Sequence, residues 1–244
     1  MAISGAPGGR CRGTLRGGTV TTGGLRAWLK RCLRRWRDRR TRRRLRRAAG
    51  SGRVVAVIST WEFPNPTHTF VLQDMLGLRA AGCELAVLCG ERVQAPDLAA
   101  RFRPLVEHLA IVETLGDVHR ADFAQLERDH ADRLQAFLGR LAVATGRAVE
   151  DLRREPLVLR AATFTRLVEL SGARCLQSWF CYDGSFLAMF AAQVLGLPRV
   201  LSCYVDHVLD DHPMKCVPLQ LATADLVLAT SERTRRELLA SGGE

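Results

Sequence analysis

No run of about 18 apolar residues occurs anywhere in this 244-residue chain, so no segment reads as a membrane-spanning helix. The N-terminus carries no apolar h-region, and a secretory signal is not expected. No C-x-x-C pair occurs either. The eight cysteines stand singly at positions 11, 32, 83, 89, 175, 181, 203 and 216, four of them (Cys83, Cys89, Cys175 and Cys203) in predicted strands. Such spacing argues against a zinc ribbon or a dithiol redox motif and predicts reduced core thiols in a cytoplasmic protein. Lysine is almost missing: Lys30 and Lys215 accompany 34 arginines. No internal repeat of fixed period is present.

What is there falls into two parts. The first 53 residues hold 17 of the 36 basic residues and one acid, Asp38, for a net of +16, whereas the remaining 191 residues carry −5. The overall +11 therefore belongs to the leader and says nothing about the partners of the rest. Residues 1–24, rich in Gly and Thr and without apolar periodicity, are expected to be disordered. Over Leu25–Ala48 the three- and four-residue spacing of Leu25, Trp28, Leu29, Cys32, Leu33 and Trp36 predicts a helix with one apolar stripe, arginine filling the remainder. Three readings of this leader stand side by side. A basic amphipathic helix with two Trp suits an anionic membrane surface, and thus a peripheral place on the inner face of the plasma membrane. Arginine clusters also suit nucleic acid, but no interleaved aromatic platform or recognised fold supports that partner, and it is not expected. The third reading is a solvated basic arm, or translation from an over-extended start in an Arg-rich proteome. The Arg-rich, acid-poor composition is shared with mitochondrial transit peptides as well.

From residue 53 onward apolar runs alternate with helical periods. The expected fold class is α/β, a doubly wound parallel sheet, with a basic extension over 1–52 and a single domain over 53–244. Strands are expected at Arg53–Ser59, Glu84–Cys89, His108–Val112, Arg174–Phe180, Val200–Tyr204 and Asp225–Thr230, in the spatial order 3-2-1-4-5-6. A helix over Thr67–Ala81 sets Val71, Leu72, Met75 and Leu78 on the sheet, and Gly82 stops it. Residues 117–171 read as two helices broken near Thr145–Gly146. Further helices follow at Phe186–Leu195, in a short segment before residue 225, and at Glu232–Leu239.

Such a sheet holds ligands outside the carboxyl ends of its strands, and the polar residues gather there. After the first strand comes Thr67-His68-Thr69. Thr67 or Thr69 reads as a helix cap, leaving exposed N–H groups for an anion, while His68 lacks a structural reason to be there. Asp183-Gly184 follows the fourth strand, either as a plain strand-to-helix turn or as a point of close ligand approach. Ser231 reads chiefly as a cap and Glu232 as an acid suited to the first turn of its helix. The richest loop is Tyr204-Val205-Asp206-His207-Val208-Leu209-Asp210-Asp211-His212. His207 and His212 with Asp210 and Asp211 have metal-ligating chemistry without diagnostic spacing. A solvated acidic loop is favoured for the two aspartates, and no metal is expected.

The segments WFCYDG, GLPRVLSCYVDH and ADLVLATSERTRREL, preceded by VVAVIST-WEFPNPTHTFVLQDMLGLRAAGCELAVLC, carry a resemblance. Over about residues 53–244 the chain resembles the N-terminal, Rossmann-like domain of GT-B-fold, family 4-like retaining glycosyltransferases. The resemblance implies transfer of a sugar from a nucleotide-sugar donor to a glycan or lipid-linked acceptor, as in polysaccharide biosynthesis, with no cofactor beyond the donor. It places a His near the transferred sugar in a Thr-x-His-x-x-Asp context. Aligning Ser202 with that Thr puts Tyr204 where the His stands and His207 at the Asp, so His207, Tyr204 and Asp206 become the catalytic candidates. Thr67, His68, Thr69, Asp183, Gly184, Ser231 and Glu232 become the substrate-binding ones. The family's Ser-Glu-Thr after the first strand is replaced here by Thr-His-Thr. The family grips the donor in a second Rossmann-like domain. This chain stops at Gly242-Gly243-Glu244, where the next strand and linker would begin, so the expectation is half an enzyme, inactive alone. The alternatives are a non-catalytic sugar-, nucleotide- or protein-binding module of the same fold and, more distantly, a basic-armed nucleic-acid binder.

Overall fold

The computed structural model of the chain describes residues 22–49, 54–58, 62–94, 98–107, 109–204 and 211–242. Eight strands are present among them: β1 Val54–Ile58, β2 Glu62–Phe63, β3 Glu84–Cys89, β4 Glu91–Arg92, β5 Leu109–Ile111, β6 Cys175–Trp179, β7 Arg199–Cys203 and β8 Leu226–Ala229. The helices are α1 Thr22–Ala48, α2 Thr69–Ala80, α3 Arg103–Glu107, α4 Gly116–Asp129, α5 Ala131–Thr145, α6 Val149–Leu152, α7 Pro156–Ser171, α8 Asp183–Leu195, α9 Val217–Ala222 and α10 Glu232–Ala240.

Six strands form one sheet in the order β5-β3-β1-β6-β7-β8, all paired in parallel. That is 3-2-1-4-5-6 when these six are counted along the chain, as the alternation of apolar runs and helices predicts. β2 and β4 pair separately as a two-stranded parallel ribbon, Glu62 against Glu91 and Phe63 against Arg92. The sequence does not announce it, because two-residue strands are too short to show a period.

At β3 the six-stranded sheet is covered on both faces, whereas the edge strand β8 leaves Leu226 and Leu228 exposed. Ala86 and Leu88 of β3 point into a cluster with Phe123, Leu138, Phe164, Phe186 and Phe190. Val87 and Cys89 point the other way, to Val71, Leu72, Met75, Phe102 and Trp179. Successive strand residues face opposite sides, and here each side meets helices, which is why these strands read as continuous apolar runs rather than alternating ones. The α7–α8 pair supplies nearly half of the larger core, with Ala161, Ala162 and Phe164 against Ala188, Phe190 and Ala191, all buried. Small residues at such a seam let two helices approach closely.

Residues 117–171 form four helices rather than two. Gly146, at φ +66°, ends α5 as expected, but a second break falls at His130, whose φ of −138° separates α4 from α5. At Gly172, φ +66°, the end of α7 passes so near Ala49 that a Cβ would sit 3.2 Å from the Ala49 methyl. Only glycine fits both the left-handed backbone and that approach.

The basic extension is not separate from the sheet. Helix α1 is formed; its second half docks on α7 and β5, and its arginines reach α4. Leu45 is buried in the larger core, and Asp38, the lone acid of the leader, is buried beside it. Arg42 donates from Nε to Asp38 Oδ2 at 2.9 Å and, with both terminal nitrogens, to the Asp122 carboxylate of α4 at 3.0 and 2.6 Å. Arg35 pairs with Asp117, and Arg44 donates to the Leu109 carbonyl. The packed unit therefore extends N-terminal of the boundary expected at residue 53. The disorder expected over residues 1–24 falls, up to residue 21, outside the described residues.

One buried histidine gives the fold a pH dependence. His119 of α4 is buried, its Nδ1 lies 2.7 Å from Thr163 Oγ1, and burial, aided by the Arg160 charge, holds its pKa below the usual value of 6.5. The unfolded chain takes up this proton as pH drops through about 6.5, whereas the folded chain resists until lower pH. The stability is thus complete above that pH and is lost progressively below it. In urea titrations at about pH 7.5 and pH 5.5, His119→Gln is expected to narrow the difference in unfolding free energy between the two. An unchanged difference would remove His119 as its source.

Candidate functional site

At the carboxyl edge of the sheet the chain leaves β6 and β7 and, beyond β1, enters α2. Aromatic side chains converge there. The Phe70 ring, in the first turn of α2, lies 4.2 Å from the Tyr204 ring at a tilt of 37° and 5.8 Å from Phe180, edge to face. His68 sits 5.8 Å from Phe70 and 5.3 Å from Phe180. Phe180 lies 5.3 Å from Tyr204 and 6.2 Å from Tyr182. Phe180 is buried at the centre, Tyr182 is exposed, and His68, Phe70 and Tyr204 are half-buried. The result is a platform of four rings around one buried ring.

The backbone pays locally to make it. Phe180 has φ +64°, and its N–H donates to the Ser202 carbonyl at 2.8 Å. A left-handed non-glycine residue costs roughly 1–2 kcal/mol and persists only where surrounding contacts over-determine it. Here those contacts are the four flanking rings and the strand β7.

Polar groups frame the platform. Asp74, one turn further along α2, accepts from Trp179 Nε1 at 2.9 Å. Burial, with Asp74 nearby, pushes the Tyr204 phenol up to about 12, so it stays protonated and able to donate at neutral pH. Burial lowers the His68 pKa, which favours a neutral ring with one donor and one acceptor nitrogen. The Lys215 ammonium is almost wholly buried, 3.0 Å from Asp211 Oδ1 and 5.0 Å from the centre of the Tyr182 ring. That hydrogen bond holds the Asp211 carboxyl below its ordinary range. Behind the platform, buried Arg199 joins β7 to α8 and α9 through Ser185 Oγ at 3.3 Å and the Gln220 carbonyl; burial lowers its pKa to about 10, and it remains charged.

Of the expected site residues, the fold brings His68 and Tyr204 together against Phe70 and Phe180. Thr67 and Thr69 do not cap α2. Asn65 Oδ1 accepts from the Thr67 N–H at 3.0 Å and from its hydroxyl at 2.7 Å, the N-cap position falls on His68 without a side-chain bond, and Thr69 is the first helical residue. An asparagine two residues upstream competes for that role through an Asx turn. Gly184 is not the special turn residue. It is buried within the first turn of α8, after Asp183, and the positive φ falls on Phe180 instead. Asp183 is an acid in a helix's first turn, next to the half-buried Arg160. Ser231 caps α10 by accepting from Thr234 N at 3.1 Å, and Glu232 pairs with Arg235 at 3.3 Å, so both act in the helix. His207, Asp206 and Asp210 lie outside the described residues. Among the described residues no group of three or more His, Cys, Asp and Glu gathers as a metal site.

Sequence reasoning missed Phe70, Asp74, Phe180, Tyr182 and Lys215. Aromatics at element ends read as core, and Asp74 reads as one more outer polar residue of α2. Lys215 alone left a signal, as one of two lysines in an arginine-rich chain. No protein-family model matches this sequence, and no curated protein matches it.

Proposed function

We propose that the carboxyl-edge cleft is the acceptor side of a retaining sugar transfer, and that residues 53–244 act as the Rossmann-like N-terminal domain of a GT-B-fold, family 4-like glycosyltransferase. The observation that carries this reading is the ring platform of His68, Phe70, Phe180, Tyr182 and Tyr204 at the ends of parallel strands. Pyranose rings present C–H faces that stack on aromatic surfaces and hydroxyls that need both donors and acceptors. A mostly apolar floor with a few convergent polar groups suits them. Tyr204 donates, and neutral His68 does both. The acceptor class is a glycan or lipid-linked sugar. The nucleotide-sugar donor is the co-substrate, gripped by a second Rossmann-like domain. Transfer depends on positioning and on stabilising the departing diphosphate, and no protein nucleophile is invoked. The exposed Leu226 and Leu228 on one face of β8 offer apolar area for a further body.

The test is a titration of the full 244-residue chain with a panel of free and lipid-linked glycans and, separately, of nucleotide sugars. Glycan binding is expected, and Phe70→Ala or Tyr204→Ala should each weaken it about tenfold, the scale of one well-placed ring contact. No turnover of a nucleotide sugar by the chain alone is expected, because donor and acceptor must be held between two domains. Robust turnover by these residues would sink the two-domain reading. Nucleotide binding without glycan binding would favour the second reading, a non-catalytic nucleotide module, for which Tyr204 in the place of the family's His is the supporting feature.

A further inference from the structure

The first half of helix α1 is amphipathic in the opposite sense to a helix packed on a protein. At about 100° per residue, Leu25, Trp28, Leu29, Cys32, Leu33 and Trp36 share an arc of about 140°, and no charged residue of that segment enters it. The arc opposite holds Ala27, Lys30, Arg31 and Arg34 and, further along, Asp38, Arg42 and Leu45. That charged side is the one turned to the body. Asp38 and Leu45 are buried, Arg42 joins Asp38 to Asp122, and Lys30, Arg31 and Arg34 line a cleft with Gly116, Asp117 and Arg120 at the start of α4.

The apolar stripe faces outward. Leu25 is 50% exposed, Trp28 60%, Leu29 51%, Leu33 47% and Trp36 55%. In the second half of the helix the same outward face carries Arg39, Arg40, Arg43, Arg46 and Arg47, all exposed. Arg40 lies over the Trp36 ring at 5.3 Å, where stripe and arginine cluster meet. One face thus runs from apolar to densely cationic, on a helix whose second half is held to the domain through Asp38, Arg42 and Leu45.

We propose that this outward face of α1 docks on an anionic lipid bilayer. The helix lies in the headgroup plane, with Trp28, Trp36 and the three leucines entering the acyl boundary and the five arginines on lipid phosphates. Charge complementarity selects this occupant. A second copy would bring two arginine clusters toward each other. A nucleic acid would neutralise the arginines but leave the stripe of Trp and Leu in water. A bilayer with anionic headgroups satisfies both halves of the face at once. This inference stands independently of the sugar-transfer reading.

The experiment is flotation of the full chain with vesicles of phosphatidylcholine alone or with about 30% phosphatidylglycerol, at about 0.1 M salt, with Trp emission recorded. Binding to the anionic vesicles is expected to exceed that to neutral ones at least tenfold, to fall with added salt, and to shift Trp emission to the blue. Each replacement in the series Arg39→Gln, Arg40→Gln, Arg43→Gln should cost about fivefold in partition. Trp28→Ser with Trp36→Ser should cost more than tenfold and abolish the shift. All five positions are exposed, so thermal unfolding should stay unchanged and serves as the folding control. Equal or absent binding to the two vesicle types would overturn the proposal. So would full binding by the double Trp variant. Displacement from vesicles by duplex nucleic acid, with the Trp variant binding that duplex as well as the parent does, would assign the face to nucleic acid instead. A concentration-dependent dimer that the Trp variant abolishes, without vesicles, would assign it to a second copy.

Discussion

Trp179→Ala is expected to lower the unfolding free energy by about 4 kcal/mol, within the range for deleting a fully buried large aromatic. Trp179 is among the largest fully buried side chains, on the central strand β6, and packs with Phe63, Val71, Met75 and Phe180. A cavity would open where α2 meets the sheet, and Asp74 would lose the indole N–H that it accepts at 2.9 Å. Domains of this size have about 5–15 kcal/mol in total, so the variant should sit near the edge of folding. Trp179→Phe keeps most of the apolar volume and removes the hydrogen bond; its cost should be nearer 1–2 kcal/mol. Urea unfolding of the two variants separates packing from hydrogen bonding. Because Phe180 follows Trp179 directly, the same replacement should loosen the ring platform, and the glycan binding proposed for it should fall as well. A loss below about 1 kcal/mol in Trp179→Ala would contradict the burial of that ring.

Arg42→Ala should cost about 3 kcal/mol and act on the other side of the molecule. The Arg42 guanidinium is the common partner of Asp38 and Asp122, whose side chains are only 10% and 11% exposed. Its removal leaves two carboxylates in a poorly hydrated seam without a counter-charge, which is costlier than never having built the pair. The expected signature is local. Backbone amides of residues 37–48 should exchange faster with solvent, while those of β3, β6 and β7 change little, because α1 lies outside the sheet. Arg42→Lys should rescue only in part, since an ammonium cannot reproduce the fork that meets Asp122 with two nitrogens. Unchanged exchange in α1 would show that the docking does not rest on this network. The exposed arginines and the docking arginine are therefore separable: Arg39, Arg40 and Arg43 can be changed without touching the seam.

The sheet was legible because a parallel strand covered on both faces needs an apolar residue at nearly every position, and Val54–Ile58 and Glu84–Cys89 carry that pattern. The strand order follows from short right-handed crossovers through α2 and α8. The β2–β4 ribbon was not legible, since its bonds come from loops brought alongside each other by the larger sheet. The break at His130 was equally silent, because nothing in Arg-Asp-His-Ala-Asp is a strong helix breaker and the turn is set by α4 and α5 packing on α7 and α8. In the site, His68 and Tyr204 stood out as polar residues at strand ends, whereas Phe70 and Phe180 looked like ordinary core.

By itself the sequence determined the alternation of strands and helices, the parallel sheet and the edge where polar residues collect, and it marked the stripe on α1. These are properties of near neighbours along the chain: period, run length and punctuation by Gly and Pro. Only the tertiary structure decided which way that stripe faces, since docking through Asp38, Arg42 and Leu45 turns the apolar side out. It alone placed Phe70, Phe180 and Tyr204 in one platform, from segments more than a hundred residues apart or on different strands. It alone buried Lys215 against Tyr182. Contacts between distant segments depend on how helices cross and pack on the sheet, and no local pattern encodes that angle.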